Sequence, residues 1–489
     1  MKKIVFLTLL TVVSLFTASC RKEQYNAPTL SGIGTDTITM NIGDEIVLAP
    51  NITNTKGNSY SWWVNNKQVA ASQLNYTFAA TEPGNFDVTL KVNNKGGNDE
   101  QSYKILVEKP IAITIADPLA VSMCNVLEIA PAITGPDRTD YEYQWSIGDS
   151  VIGKKRNLEF IAPEAGTYEL TFRITAGKQS TTINRSVTVK AEQYVKNAYT
   201  LLEYLPSPAK GQNWSVIGYA DNWRYGAEFP LSYNDYLAKS SELRKLSPNN
   251  GLVLGSWGGS ATFKFDHTVV NAQGKPDLEM TAVYSRLDVP AVYVAYDRNK
   301  NGQPDADEWY EIKNEDYGIE DIAEYQISYA YSRVEFDARR MYHYFTWKDN
   351  QEEPVSGEVQ YVKIMSTAMT TANVFSTKGL FPGYTMPDTA TKQMVVMNGW
   401  PTSFTRKGKR ISRNVSGAVQ FQQKLNIDIE MAVNAKGESV SLPGIDFIRV
   451  QKVVYPFQLD TGLGIVKDWN MEEGRMSQVF GILDRHLKN

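Results

Sequence analysis

Residues 82–92 read EPGNFDVTLKV. A proline–glycine turn and an aromatic residue lead into Val88, Leu90 and Val92, which alternate with the polar Thr89 and Lys91, the period-two pattern of a half-buried strand. The unit returns about 80 residues later. Glu164-Ala165-Gly166-Thr167-Tyr168 stands before Leu170-Thr171-Phe172-Arg173-Ile174, with the same turn, aromatic residue and alternation.

Working outward, Ala49 to Thr53 (APNIT) recurs as Ala130 to Thr134 (APAIT), and Tyr60-Ser61-Trp62 as Tyr143-Gln144-Trp145. Short alternating strands separated by frequent turns predict two consecutive β-sandwiches, over 31–109 and 110–192. Their repeated tryptophan, turn and strand resemble the PKD-like (polycystic-kidney-disease-like) immunoglobulin-type domains of bacterial surfaces. Trp62 and Trp145 are expected in the cores. Trp63 is the strand neighbour of Trp62 and should point to the opposite face. The pair reads as a stalk.

The chain begins with MKK, an apolar run IVFLTLLTVVSLF and the small residues before Cys20, which together predict a secretory signal over 1–19. Ala18-Ser19-Cys20 resembles the lipobox of bacterial lipoproteins, although Thr17 stands where leucine is usual. The resemblance implies a lipid anchor at Cys20, followed by a tether over 20–30. Cys124 would then be the one remaining thiol, expected buried and inert, with no disulfide possible. Removing 1–19 takes away Lys2 and Lys3, so the net charge goes from −4 to −6. No basic stripe for nucleic acid is present.

From about residue 195 the repeat stops. Runs such as ATFKFDHTVV, LEMTAVYS, YQISYAY, YHYFTW and FIRVQKVVY read as strands, with a short helix near Asp235–Leu246. The expected fold class is therefore all-β: two PKD/immunoglobulin-like sandwiches and a larger, jelly-roll-like antiparallel domain over 195–489, with long loops.

Inside this domain Asp297 to Glu308 reads DRNKNGQPDADE. Asp297, Asn299, Asn301, Asp305 and Glu308 supply side-chain oxygens at steps 1, 3, 5, 9 and 12 of a calcium loop, Gln303 offers its carbonyl at step 7, and Gly302 permits the sharp turn at step 6. The flanks AVYVAYD and WYEI alternate as strands, so the expectation is a β-hairpin rigidified by calcium. A metal-free polar turn is the alternative, because turns favour the same residues.

Catalytic signals are sparse. No nucleophile elbow and no zinc spacing occurs, and the three histidines are His267, His343 and His486. Asp266 and His267 are strand neighbours and should face opposite sides, which would exclude a simple dyad; His267 reads as a hydrogen-bonded core residue. Binding is better supported than catalysis. Trp214, Asn222, Trp223, Arg224 and Tyr225 cluster in Asn213–Gly226, and Trp257 sits in the glycine-rich Gly255–Ser260, so these are the candidate ligand contacts, or else plugs over the sandwich.

Gly255 to Asp277, the calcium-type loop with Trp309-Tyr310-Glu311, and Ser441 to Val450 together resemble the cell-surface lipoproteins of Bacteroides-type bacteria, which carry PKD-like repeats before a β-rich C-terminal domain. Some of these resemble lipoproteins of the BtuH type, which capture vitamin B12. The resemblance implies an outer-membrane lipoprotein at the cell surface that hands cobalamin or a related corrinoid to a TonB-dependent transporter; that it is not an enzyme is expected from the sparse catalytic signals above. Capture of glycans for a polysaccharide-uptake system, using the same aromatic residues, is the alternative, followed by a structural or adhesive role.

Overall fold

The computed structural model describes residues 23–32, 34–207, 233, 234, 237, 238, 241, 251–255, 257–285, 290–313, 321–337, 340–354, 356–364, 385–387, 394–396, 403–411, 419–453 and 477–488. The signal segment and Cys20 lie outside them. By packing, the chain divides into two compact units, Met1–Asp117 with Ile129–Leu158 and Glu169–Ser186, and Pro118–Glu128 with Glu159–Tyr168 and Val187–Asn489. The division runs through the strands of the second sandwich.

The repeat seen in sequence is a repeat in topology. The first copy has a five-stranded sheet in the order Ile38–Met40, Gly97–Val107, Gly84–Asn94, Ser59–Val64, Lys67–Ala71. The second has Leu119–Ser122, Gln179–Lys190, Gly166–Ala176, Glu142–Ile147, Ser150–Gly153 in the same order. In each copy the first of these strands runs parallel to the second, Ile38 opposite Ile105 and Leu119 opposite Val187, and Ser59–Val64 and Glu142–Ile147 are each antiparallel to the strand that carries the repeated alternation.

The residue types explain the cores. Val88, Leu90 and Val92 point inward, as alternation requires, and close on a fully buried Trp62. Trp145 is buried in the same way, and its ring lies 4.4 Å from that of Phe172. Each indole N–H still finds a carbonyl, Gln73 for Trp62 and Lys155 and Arg156 for Trp145. The aromatic residue after the turn glycine packs on the facing strand pair in both copies, Phe86 on Phe78 and Tyr168 on Phe160.

The N-terminal end departs from a free tether. Thr29–Ser31 is already a strand, paired with Asn51–Thr53, and Leu30 is buried. Residues 25–27 lie against the loops 54–58 and 94–97, where Asn94 and Asn54 donate to the carbonyls of Asn26 and Ala27.

The C-terminal part is built on an antiparallel six-stranded sheet, Tyr199–Leu205, Ser260–Val270, Gly444–Gln451, Ala291–Ala295, Trp309–Ile312, Ala432–Val433. A four-stranded sheet, Leu252–Gly255, Ser477–Asp484, Leu278–Ser285, Val419–Ile427, shares one apolar core with it, containing Phe263, Ile448 and Val294 from the first sheet and Leu254, Met280 and Ile482 from the second. A further four-stranded sheet is made by Ser356–Ile364, Arg340–Asp349, Asp321–Asp337 and Ser403–Ile411. The chain is thus all-β, with PKD/immunoglobulin-like sandwich sheets. Of the predicted helix, Leu237, Ala238 and Ser241 are described and helical, and Leu237 packs on the common core.

Candidate calcium site

The hairpin expected around the oxygen-rich loop is formed. Ala291–Ala295 and Trp309–Ile312 pair antiparallel, Ala295 opposite Trp309 and Tyr293 opposite Glu311. Both strands are β-branched and aromatic, and Val292 and Val294 anchor the hairpin in the core, so the loop springs from a fixed base.

The loop curls by satisfying its own backbone. Asp297 accepts the N–H of Asn301 through Oδ1 at 3.0 Å and that of Gly302 through Oδ2 at 2.7 Å. Asn299 Oδ1 accepts the Asn301 N–H at 2.9 Å, and Asn301 Oδ1 the Gln303 N–H at 2.7 Å. Lys300 and Gly302 take left-handed φ values of 56° and 79°; at step 6 glycine adopts this without strain. The side-chain amides of Asn299 and Asn301 both donate to Asp305 Oδ2, at 2.5 and 2.9 Å, so steps 3, 5 and 9 converge.

Glu308 closes the loop. It is buried, at 5% exposure, and its two oxygens accept the backbone N–H groups of Arg298 and Asp305. A carboxylate or amide oxygen that takes one N–H keeps a second lone pair, so Asp297, Asn299, Asn301 and Glu308 retain capacity for a hard cation. Gln303 stands at step 7, where its main-chain carbonyl would be the donor. The donors fit calcium in type, all oxygen and half of them neutral, with three carboxylates supplying charge. Among the described residues no group of three or more His, Cys, Asp or Glu side chains is gathered to hold a metal. A site here therefore needs the amide and main-chain oxygens as much as the acids.

Three supporting residues come from elsewhere in the chain. Asp446 accepts the backbone N–H of Asp297 at 2.8 Å and the hydroxyl of Thr268 at 2.6 Å. Burial pushes the Asp446 carboxyl above the usual carboxylate range, and these hydrogen bonds offset part of the rise. Lys264 donates its ammonium to the carbonyl of Gly302 at 2.9 Å, fixing the peptide that precedes step 7.

Trp257 requires a correction as a ligand contact. It is fully buried, its indole N–H bonds to the Lys409 carbonyl at 3.1 Å, and Tyr325 meets its ring edge-on at 4.8 Å. The surrounding glycines do permit a close backbone approach, but a Cβ on Gly259 would lie 1.8 Å from the carbonyl oxygen of Leu254, so the neighbour is the chain itself. Trp257 is thus a plug, joining the strands after it to the sheet of Tyr325 and Lys409. Trp214, Asn222, Trp223, Arg224 and Tyr225 lie outside the described residues.

A second correction concerns His267. It is buried, as expected, but its Nδ1 lies 2.5 Å from Asp266 Oδ1, although the two are sequence neighbours. Burial still alternates along Ser260–Val270, with the Asp266 side chain 41% exposed and that of His267 1%, yet the carboxylate of the one reaches the imidazole of the other. Nε2 faces Asp484 at 2.8 Å. Asp484 also accepts the His486 backbone N–H, while the His486 ring bonds Asp277, a fully buried carboxylate.

Comparisons with known proteins agree with the architecture of the first sandwich: residues 32–94 match the PKD-like domain family. No curated protein matches the chain in sequence. Among solved structures, the I-band fragment I67–I69 of titin is 10% identical, with a TM-score of 0.28 over 70% of this chain and 98% of that one. The four N-terminal immunoglobulin domains of Dscam1 isoform 7.44 are 14% identical, with a TM-score of 0.24 over 34% of this chain. This chain spans 47% of that Dscam1 structure, just under half its length. Fibronectin(III)-like modules of Clostridium thermocellum CbhA are 14% identical, with a TM-score of 0.21 over 34% of this chain and 98% of that one. Scores this low carry no argument about function.

Proposed function

We propose that the chain is an exported, lipid-anchored binding protein of the outer-membrane surface and not an enzyme. Its PKD-like sandwiches serve as a spacer, and its C-terminal β-domain, stiffened by calcium at Asp297–Glu308, captures a nutrient. The curled loop on its fixed hairpin is the observation that carries this reading. A dodecapeptide whose side chains already hold its own turns would lose little entropy when a cation binds. Calcium would be held by Asp297, Asn299, Asn301, Gln303, Asp305 and Glu308, and would cancel repulsion among three carboxylates on one connection.

The ligand that the sequence resemblance favours is vitamin B12 or a related corrinoid, passed to a TonB-dependent transporter. With Trp257 inside the core, such a ligand would have to meet other aromatic groups of this domain. Calorimetry of the full mature chain with cyanocobalamin and with a glycan panel, in calcium and in chelator, tests it. The full chain is needed because residues 118–128 and 159–168 pack in the same unit as the C-terminal domain. Heat with cobalamin that is lost in chelator supports the reading; heat with glycans alone replaces the ligand.

One observation favours the glycan reading. Trp63 is only partly buried on the outer face of the first sandwich, its indole N–H bonded to Ser61 Oγ at 3.0 Å and the Lys91 ammonium 5.5 Å from its ring. A flat ring among hydroxyl and ammonium groups suits a sugar face.

A further inference from the structure

We propose that one end of the first sandwich, carrying Tyr25, Lys56 and Lys95, rests directly on an anionic lipid surface. This inference stands on the reading of Cys20 as a lipid anchor. Residues 25–27 are seated in a bed of glycines. A Cβ on Gly96 would come within 2.4 Å of the Tyr25 carbonyl oxygen, one on Gly57 within 2.8 Å of the Tyr25 ring, and one on Gly97 within 2.8 Å of Ala27 Cβ. Side chains any larger would lift this segment off the loops 54–58 and 94–97. Asn94 and Asn54 then lock its carbonyls, at 2.9 and 2.8 Å.

Seating the segment leaves little slack. From Cys20 to Glu23 are three peptide steps, at most about 10 Å of extended chain. A lipid on Cys20 therefore holds the same loops next to the headgroups, and the sandwich does not hang from a long leash.

The chemistry of that end suits such a surface. The Lys56 and Lys95 ammonium groups lie 5.2 and 5.4 Å from the centre of the Tyr25 ring, and both side chains are exposed. Arg21 and Lys22 add charge of the same sign on the way to the anchor, against two acids, Glu23, which pairs with Lys56 at 3.4 Å, and Asp99, which accepts the Leu30 N–H at 2.7 Å. In a chain of net charge −4 this is a locally cationic end. A tyrosine flanked by lysines presents an apolar ring and charges that reach headgroup phosphates.

The test uses the full lipidated protein in vesicles of phosphatidylethanolamine and phosphatidylglycerol. An environment-sensitive fluorophore is placed at Thr55→Cys or, as the control, at Lys67→Cys. These flank opposite ends of the strand Ser59–Val64, about 20 Å apart along it. Headgroup-borne quencher should reduce emission at 55 several-fold more than at 67, and Lys56→Glu with Lys95→Glu should abolish the difference. Equal quenching at both sites in protein that carries lipid overturns the inference alone. Failure to incorporate radiolabelled palmitate, with a Cys20→Ala chain as reference, overturns the anchor reading and this inference with it.

Discussion

His267 Nε2 lies 2.8 Å from Asp484 Oδ2, and the two side chains are 1% and 0% exposed. Because Nδ1 faces the second carboxylate, Asp266, a neutral imidazole could donate to only one of them; the charged form satisfies both. Burial alone would push the imidazole pKa down, but the hydrogen bonds that the ring donates to Asp484 and Asp266, with their negative charge, outweigh it and the net direction is up.

A histidine whose pKa rises on folding contributes stability that is complete below its unfolded value, about 6.5, and is lost as pH climbs through the raised folded value. The melting temperature of the second unit should therefore fall as pH rises above about 6.5. His267→Gln should remove that part of the slope. Thermal unfolding across this range, followed by intrinsic fluorescence in both chains, checks it, and an unchanged slope in the variant counts against the charged form.

Cys124 belongs to the same neighbourhood. Burial, with smaller contributions from the charges of Asp484 and Asp266, pushes its thiol up to about 12. The folded protein should leave a thiol reagent untouched at neutral pH, and the reaction should begin only as denaturant unfolds the second unit. Fast labelling of the native chain at that cysteine would contradict this.

For the loop, chelator should lower the melting temperature of the second unit, and Asp297→Ala should abolish the difference between calcium and chelator. Gly302→Ala should cost about 1 kcal/mol even without metal, because alanine resists the left-handed backbone that Gly302 adopts at φ 79°. Its Cβ would also stand 3.0 Å from Lys264 Nζ. Calorimetric scans of the three chains separate the two effects.

Adjacent tryptophans should behave oppositely. Trp62→Ala empties a fully buried site and should cost about 3–5 kcal/mol, whereas Trp63→Ala, on the outer face, should cost under about 1 kcal/mol. Urea unfolding of each variant gives the comparison.

Local periodicity carried most of what could be read in advance. Val88, Leu90 and Val92 announced their strand and its inward face, and WYEI was readable as the return of the hairpin because alternation is a property of consecutive residues. What stayed hidden depends on distant pairs. Asp446 reaches Asp297 across 149 positions, and His267 reaches Asp484 across 217. Asp266 and His267 alternate in burial as the strand pattern predicts, but their contact depends on side-chain rotamers, which composition does not record. Trp257 among glycines looks the same in sequence whether it plugs a core or meets a ligand.

The parallel pairing at the margin of each sandwich has a mechanical consequence. Ile38–Met40 lies beside Ile105–Val107, and Leu119–Ser122 beside Val187–Lys190, with both members of each pair pointing the same way. Tension entering through the earlier strand and leaving through the later one pulls the members in opposite senses along their length. The load then falls on all their hydrogen bonds together, in shear, and cannot open them one at a time.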